Sequence, residues 1–459
     1  MNQKEVPLEK HLKYKPKYGK DELYWGIGIE NEMYLEFERP ITVSRKMFVE
    51  NHKRERYSVD YYTSYKYPIQ KYMSSLPLST LPLLVNNHTF MYMDENEEHQ
   101  TTYEKVPQPN KKFTCTIHDQ LMRHPYYASH YNVDIVYDGD TIEFITQNFY
   151  KTTINKVINE LIDIKKNFTE QILPIFPYQD KYGPISIMKN NHPFAVHLSN
   201  PKNVVMFNNG TYHINVTLPT KLNELGNIED PERFILEHQK AIRLLQLFEP
   251  ILIVVYGSGD PFSMYSEIFS PTSQRCAMSR YIGIGNYDSV TMPTGKILLQ
   301  SSDTCTWYKK YHHSSGYQSS KKIGLDINFH KHHMHGIELR IFDYFPEEYL
   351  QQLFTFIVHL LDHSLECVEV GDITKTKEWI DLTINCLRNG KNTLLLSSHL
   401  SLFNDLFGTT YKQINVLAFY RIMTDFLDKT YGNRGKCSSY MFEKEEEKVH
   451  LPTSCCTVL

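Results

Sequence analysis

One stretch of this chain reads Gly26-Ile27-Gly28-Ile29-Glu30-Asn31-Glu32-Met33-Tyr34-Leu35-Glu36-Phe37-Glu38. Its odd positions carry mainly apolar residues, and Glu30, Glu32, Glu36 and Glu38 all stand at even positions. Successive side chains of a β-strand point to opposite faces, so this alternation predicts one strand with an apolar face and an acidic face. Glu36 and Glu38 are typical of a solvated strand face. Glu30 and Glu32 become informative only beside other segments.

Three distant segments show the same sorting of residues. They are Thr141–Thr146, Tyr212–Leu218 and Gly336–Phe342, and their polar faces carry Glu143, His213 with Asn215, and Glu338 with Arg340. Carboxylates are the hard oxygen ligands that Mg²⁺ and Mn²⁺ prefer, and an imidazole among them is compatible with Mn²⁺. A guanidinium is suited to phosphate. The four segments together indicate a metal-dependent phosphate site.

Length and charge narrow the class of protein. The 459 residues suffice for one large domain or up to about three average ones. The formal net charge of -4 gives no basic field, so nucleic acid is not expected as a partner. The eight cysteines are scattered without a C-x-x-C pair, which is typical of a reduced intracellular protein.

The hydrophobic pattern predicts neither export nor a membrane span. The first residues, 1–23, are rich in Lys and Glu and hold no apolar signal-peptide segment. The strongest apolar run, Ile251–Tyr256, is much shorter than the roughly 20 residues that cross a bilayer. We therefore expect a cytoplasmic protein. The end Cys456-Thr457-Val458-Leu459 fits a C-a-a-X prenylation box with Cys455 beside it, so membrane association is expected only if Cys456 is prenylated.

The order of patterns predicts a catalytic core over residues 20–345, with an irregular, Tyr-rich insertion at about 40–132. Two strands each precede a helix, one from Thr152 and one from Pro231 to about Glu249, where Pro250 and Gly257 end it. Residues 346–431 are predicted to form a helical part packed on the core, and residues 432–459 a flexible tail.

Five motifs, taken in sequence order, resemble the glutamate-cysteine ligase family, whose wider class is the ATP-dependent carboxylate-amine ligases of the glutamine synthetase superfamily. The motifs are Ile29-Glu30-Asn31-Glu32, Ile142-Glu143-Phe144-Ile145-Thr146, Tyr212-His213-Ile214-Asn215-Val216-Thr217-Leu218-Pro219, Val255-Tyr256-Gly257-Ser258-Gly259-Asp260-Pro261-Phe262 and Ile337-Glu338-Leu339-Arg340-Ile341-Phe342-Asp343. The resemblance implies an α+β protein. Its curved, mainly antiparallel sheet, of the glutamine synthetase-like catalytic fold, would be flanked by helices.

The resemblance also implies roles for single residues. It makes two or three Mg²⁺ or Mn²⁺ ions the cofactors, together with ATP, and it makes these residues their ligands: Glu30, Glu32, Glu143, His213 and Glu338. Arg340 would hold the transferred phosphate and act with Glu338 in catalysis, and Asn215 would join Arg340 at the nucleotide. Met278-Ser279-Arg280 with Tyr287 is similar to the stretch that grips glutamate, which makes Arg280 and Tyr287 substrate-binding candidates.

Electrostatics agrees with the metal assignment. Two carboxylates about 5 Å apart repel by about 3 kcal/mol at an effective dielectric constant near 20. Such a group of acids is tenable only with bound divalent cations or raised pKa values. The implied reaction forms an amide through an acyl phosphate, on the γ-carboxylate of glutamate.

Several alternatives stay open at the level of sequence. The amine substrate is cysteine, another amino acid or a protein side chain. A catalytically silent relative that serves as a binding or scaffold protein is one further reading. A small-molecule kinase of the same superfamily is another, because phosphoryl transfer needs the same metals.

Overall fold

The computed structural model describes most of the core and the C-terminal helices. The described residues are 23–43, 79–86, 90–92, 113–138, 140–190, 192, 194–199, 204–206, 210–221, 223, 228–259, 271–273, 327–328, 336–366, 371, 373, 376–432 and 434–443. Arg280, Tyr287 and Cys456 lie outside them, so their predicted roles stay predictions.

The strands are β1 (Leu23–Met33), β2 (Leu35–Val43), β3 (Ser79–Val85), β4 (Phe90–Tyr92), β5 (Phe113–Thr116), β6 (Ile135–Asp138), β7 (Thr141–Ile145), β8 (Ile185–Ile187), β9 (Phe194–His197), β10 (Val204–Met206), β11 (Thr211–Lys221), β12 (Ile327–Asn328), β13 (Ile337–Asp343), β14 (Leu394–Leu396) and β15 (Gln413–Asn415). The α-helices are α1 (Ile117–Leu121), α2 (Pro125–His130), α3 (Ile154–Gln171), α4 (Gln179–Tyr182), α5 (Pro231–Tyr256), α6 (Leu350–Glu366), α7 (Lys377–Asn389), α8 (Ser397–Phe407), α9 (Val416–Tyr431) and α10 (Ser438–Met441).

The described residues form two large sheets and two small two-stranded sheets, β4 with β5 and β14 with β15. The first has the strand order β12-β13-β11-β1-β7-β6, and every neighbouring pair in it is antiparallel. The second has the order β10-β9-β3-β2-β8, with one parallel pair, β3 with β9. A mixed α+β protein with mainly antiparallel sheets, as predicted from the sequence, is confirmed. The four motif strands are the central neighbours β13, β11, β1 and β7 of the first sheet.

The prediction of one strand over Gly26–Glu38 was wrong, because the strand is interrupted at Tyr34. Strand β1 belongs to the first sheet and β2 to the second. The apolar side chains on both sides of the break are buried, with Met33 and Leu35 at most 1% exposed. The two sheets therefore share one apolar core, and a continuous alternating pattern serves both of them.

Helices α3 and α5 cover the apolar side of the first sheet, and α6 packs against both of these helices. Helix α5 does not end before Pro250 as predicted, since it continues to Tyr256. A proline has no N–H to donate to the carbonyl four residues earlier, which here belongs to Gln246. The indole N–H of Trp379 donates to that carbonyl at 2.9 Å. A tertiary contact thus satisfies the group that Pro250 leaves without a helical partner.

Two further predictions need correction. Strand β3, inside the stretch predicted as an irregular insertion, lies between β2 and β9 and is an integral part of the second sheet. The stretch 434–443, predicted to begin a flexible tail, is packed on the body, with Cys437 and Met441 fully buried. The carboxylate of Asp362 accepts hydrogen bonds from the backbone N–H groups of Cys437 and Ser438. Polar contacts of this kind have no hydrophobic period, which explains why the sequence pattern missed them.

Within the described parts of the chain, every helix is too short or too polar to serve as a membrane span.

Candidate functional site

The first sheet brings the polar faces of four strands together. Glu30 lies opposite His213 in the β1–β11 pairing, and Glu32 lies opposite Glu143 in the β1–β7 pairing. Asn215 lies opposite Glu338 in the β11–β13 pairing. Directly paired residues of a sheet point to the same face, with their Cβ atoms about 5 Å apart. The register alone therefore gathers these side chains on one side of the sheet.

The imidazole of His213 stands at the centre of this group. Its Nδ1 atom lies 3.2 Å from Glu30 Oε2 and 3.7 Å from Glu338 Oε1. Its Nε2 atom lies 3.5 Å from Glu32 Oε1. His213 and Glu338 are each only 1% exposed. The three carboxylates thus surround both nitrogen atoms of one buried ring.

Two trios of side chains have the spacing of metal ligands. In one trio, Glu30, His213 and Glu338 offer ligand atoms within 4.8 Å of one another, and all three residues are buried. In the other trio, Glu32, Glu143 and His213 do so, with both acids half-buried. The trios share the imidazole and lie on its two sides. All five residues that the sequence proposed as ligands are therefore members of one cluster.

Arg340 lies at the rim of this cluster. Its Nη1 atom donates a hydrogen bond to Glu338 Oε1 at 2.7 Å, and its side chain is 20% exposed. A β-bulge in the β11–β13 pairing sets Arg340 and Ile341 opposite the single residue His213. The bulge is a local irregularity that alternation does not predict. Arg340 therefore combines a buried partner with access to solvent, as a phosphate-binding guanidinium requires.

Asn215 completes the buried part of the site. Its Nδ2 atom donates to Glu30 Oε1 at 3.4 Å. Its Oδ1 atom is buried and accepts no hydrogen bond from the described residues. Buried polar atoms nearly always have a partner, so this oxygen, on a residue that contacts Glu30 and is paired with Glu338, is suited to a cation or a ligand N–H.

Two glycines shape one end of the acidic face. Gly26 and Gly28 precede Glu30 on the same face of β1. A Cβ atom at Gly26 would lie 2.0 Å from the ring of Phe149, and one at Gly28 would lie 2.8 Å from it. The glycines therefore leave the space that the Phe149 ring fills. The sequence analysis missed Phe149, because an aromatic residue after a strand gives no signal of what it covers.

Of the two acids that the sequence predicts to be solvated, Glu36 and Glu38, only one is exposed. Glu38 is exposed, as predicted. Glu36 is half-buried, and its burial raises the pKa of the carboxyl group.

The sequence analysis also missed Thr211, although it stands two positions before His213, with Oγ1 3.5 Å from His213 Nε2.

The fold and the site define a class: an α+β protein with a buried carboxylate–imidazole cluster at the centre of an antiparallel sheet. No protein-family model matches the chain. The uncharacterized protein R704 of Acanthamoeba polyphaga mimivirus is 40% identical over 447 residues, which cover 94% of this chain and 79% of the viral protein. The chain belongs to the same family as that viral protein.

Two solved structures are similar at a much lower level. A bifunctional glutathione synthetase from Pasteurella multocida gives a TM-score of 0.36 at 10% identity, with 94% of this chain and 51% of that chain covered. The complex between prokaryotic ubiquitin-like protein Pup and its ligase PafA gives 0.32 at 12% identity, with 90% and 64% covered. The chain spans about half of the first protein and less than two thirds of the second. At these TM-scores neither likeness carries an argument about this chain.

Proposed function

We propose that this protein is an ATP- and Mg²⁺-dependent carboxylate-amine ligase with a glutamine synthetase-like core over residues 20–345 and a helical part over 346–431. One observation carries the proposal: four carboxylates from β1, β7 and β13 converge on His213 with Arg340 at their rim. The five sequence motifs support it independently, because they are defined by residue type and order along the chain and not by spatial arrangement.

The donor set fits hard divalent cations. Carboxylate oxygens suit Mg²⁺ and Mn²⁺, and both trios offer them within 4.8 Å. The orphaned Asn215 Oδ1 is a further oxygen donor at the same place. Glu30 and Glu338 would hold one ion, and Glu32, Glu143 and His213 would hold another. Bound there, the ions would neutralise the charge of the ATP phosphates during phosphoryl transfer.

His213 would be a ligand of one ion and a hydrogen-bond donor to a ligand of the other. A neutral imidazole has one nitrogen with a lone pair and one that carries a proton, so it binds one ion only. The Nδ1 atom of the ring lies 3.2 Å from Glu30 Oε2, within hydrogen-bonding distance. With the proton on Nδ1 it donates to Glu30, and the Nε2 lone pair faces Glu32 and Glu143. A ligating histidine commonly donates its other N–H to a carboxylate in this manner.

The other roles follow from charge and position. Arg340 would bind the γ-phosphoryl group of ATP and stabilise its charge while the substrate carboxylate attacks phosphorus and ADP leaves. The amine then attacks the acyl phosphate carbon, the C–N bond forms, the C–O bond breaks, and phosphate leaves as the amine loses its proton. We propose the γ-carboxylate of glutamate as the acceptor, with Asn215 at the nucleotide and Arg280 and Tyr287 at the amino acid.

The test is a screen of amino-acid pairs for Mg²⁺- and ATP-dependent ADP release, with the products read by mass spectrometry. Arg340→Ala should lower the rate by about 10³-fold or more, because a guanidinium on a transferring phosphoryl group contributes that much. Glu338→Gln should lower it by at least about 10²-fold. Arg388→Ala, at an exposed position of α7, serves as the control.

Three results would contradict the proposal in different ways. Unchanged turnover in Arg340→Ala and Glu338→Gln would show that the cluster is not the active site. A phosphorylated product that accumulates without an amine would identify a kinase. The absence of ATP binding by calorimetry with Mg²⁺ would identify a silent relative with a binding or scaffold role.

A further inference from the structure

A buried lysine lies on the helix-covered side of the sheet, beneath the carboxylate cluster. Lys165 belongs to helix α3 and is 8% exposed. Its Nζ atom donates to Asn31 Oδ1 at 3.0 Å and also to the carboxylate of Glu347. Asn31 stands between Glu30 and Glu32 on β1, and it points to the opposite face from both of them. Lys165 therefore contacts the strand that carries two of the proposed ligands.

Lys165 is also linked to three other elements that build the site, directly to β7 and indirectly to β13 and β11. Its Nζ atom lies 5.9 Å from the centre of the Phe144 ring, and Phe144 follows Glu143 on β7. Its partner Glu347 comes four residues after the end of β13. The amide of Asn31 donates in turn to the carbonyl of Thr211 at 2.9 Å, on the strand that carries His213.

Burial makes these contacts mutually dependent. An ammonium group removed from water is tolerated only when it is paired and hydrogen-bonded. Burial lowers the pKa of Lys165, while the nearby Glu347 carboxylate acts in the opposite direction. Asn31 is fully buried, and its oxygen and its nitrogen are both engaged. Removal of the ammonium would leave Asn31 Oδ1 without this donor, and the side chain and the strand around it would have to shift.

We propose that Lys165 is a positioning residue for the divalent cations: it holds Asn31, and through Asn31 it sets the directions of Glu30 and Glu32 relative to His213. The proposal rests on the proposed function, because it takes the carboxylate cluster to be the cation site. Lys165 itself lies on the other face of the sheet and touches neither cation nor substrate.

The test measures Mn²⁺ binding directly by the electron paramagnetic resonance signal of the free ion. Outer groups that orient metal ligands typically change metal affinity by 10- to 100-fold, and we expect Lys165→Met to weaken Mn²⁺ binding by about that factor. Lys166→Met is the matched control. Lys166 is the next residue of the same helix, and its side chain is 64% exposed beside Glu170. The Mn²⁺ affinity of Lys166→Met should equal that of the unchanged protein.

The readout separates positioning from simple stability. A purely structural lysine would lower the unfolding temperature of Lys165→Met and leave the Kd for Mn²⁺ unchanged, and that result would overturn the proposal. If Lys165→Met does not fold, as judged by circular dichroism, Glu347→Gln decides. Glu347 is 30% exposed and keeps an acceptor oxygen as Gln. We expect a several-fold loss of Mn²⁺ affinity, and an unchanged Kd would again overturn the proposal.

Failure of the proposed function gives a different result. If the unchanged protein shows no Mn²⁺ binding, the cation site is wrong and the role of Lys165 falls with it. If the unchanged protein binds Mn²⁺ and the two variants bind it equally well, only the role of Lys165 is wrong.

Discussion

The substitution Glu30→Gln should stabilise the metal-free protein and at the same time weaken its stabilisation by metal. Glu30 is 6% exposed, and it offers a carboxylate oxygen within 4.8 Å of one from Glu338. Two such charges repel by about 3.5 kcal/mol at an effective dielectric constant near 20. Gln keeps the shape and removes the charge. The hydrogen bonds from Asn215 Nδ2 and His213 Nδ1 then lose their charge assistance, which costs about 1 kcal/mol each. The expected net gain is about 1.5 kcal/mol.

A bound cation should stabilise the unchanged protein more than it stabilises Glu30→Gln. A cation at 100 times its Kd stabilises the folded state by about 2.7 kcal/mol. With a ligand lost and the affinity at least about tenfold weaker, the same concentration gives about 1.4 kcal/mol or less. The assay is urea unfolding at pH 8, where an ordinary imidazole is neutral, with EDTA and then with Mn²⁺.

A matched surface variant controls for the chemistry of the substitution. Glu170→Gln removes a carboxylate that is 55% exposed beside Lys166, and it should change the free energy of unfolding by less than about 0.5 kcal/mol in both conditions. The reasoning would be refuted if Glu30→Gln destabilised the metal-free protein and kept the full Mn²⁺ increment. Such a result would mean that the carboxylates do not repel one another and do not bind the ion.

Two further predictions concern the C-terminal helices. Burial lowers the pKa of His363, so below about pH 6.5 the unfolded state binds a proton that the folded state does not, and the free energy of unfolding falls with pH by up to about 1.4 kcal/mol per unit. In His363→Gln, urea midpoints at pH 7.5, 6.5 and 5.5 should show a shallower fall, and an unchanged slope would exclude His363 as a source. Met441→Ala, at a fully buried position, should lower the free energy of unfolding by about 2–4 kcal/mol, compared with under about 0.5 kcal/mol for the exposed Met122→Ala. Equal effects of the two methionine substitutions in urea unfolding would show that residues 434–443 do not pack on the body.

Alternation predicted the strands of the site well because their apolar faces are buried continuously. Strands β7, β11 and β13 occur where the pattern places them, within about three residues at each end. The helix from Pro231 was predicted at its start, since Pro stands at the first position after Asp230, whose side chain accepts from Arg233 N. The end of this helix was not predicted, because the hydrogen-bond donor to the carbonyl of Gln246 is Trp379, more than a hundred residues away.

The arrangement of the site was likewise predictable from the sequence only in part. Which residues share a face of a strand follows from a period of two, and this gave Glu30 with Glu32 and His213 with Asn215. Which strands are neighbours does not follow from any local pattern. The order β13-β11-β1-β7 joins segments up to about 300 residues apart, and the bulge opposite His213 depends on the pairing itself.

By itself, the sequence determined the acidic and apolar faces of the strands and the residue types that a cation would find there, because side-chain direction along a strand depends only on position. Only the tertiary structure decided that Glu30, Glu143 and Glu338 surround one imidazole and that Lys165 lies beneath them. Those relations depend on hydrogen-bond register and on packing across the sheet, where residues far apart in the chain stabilise one another.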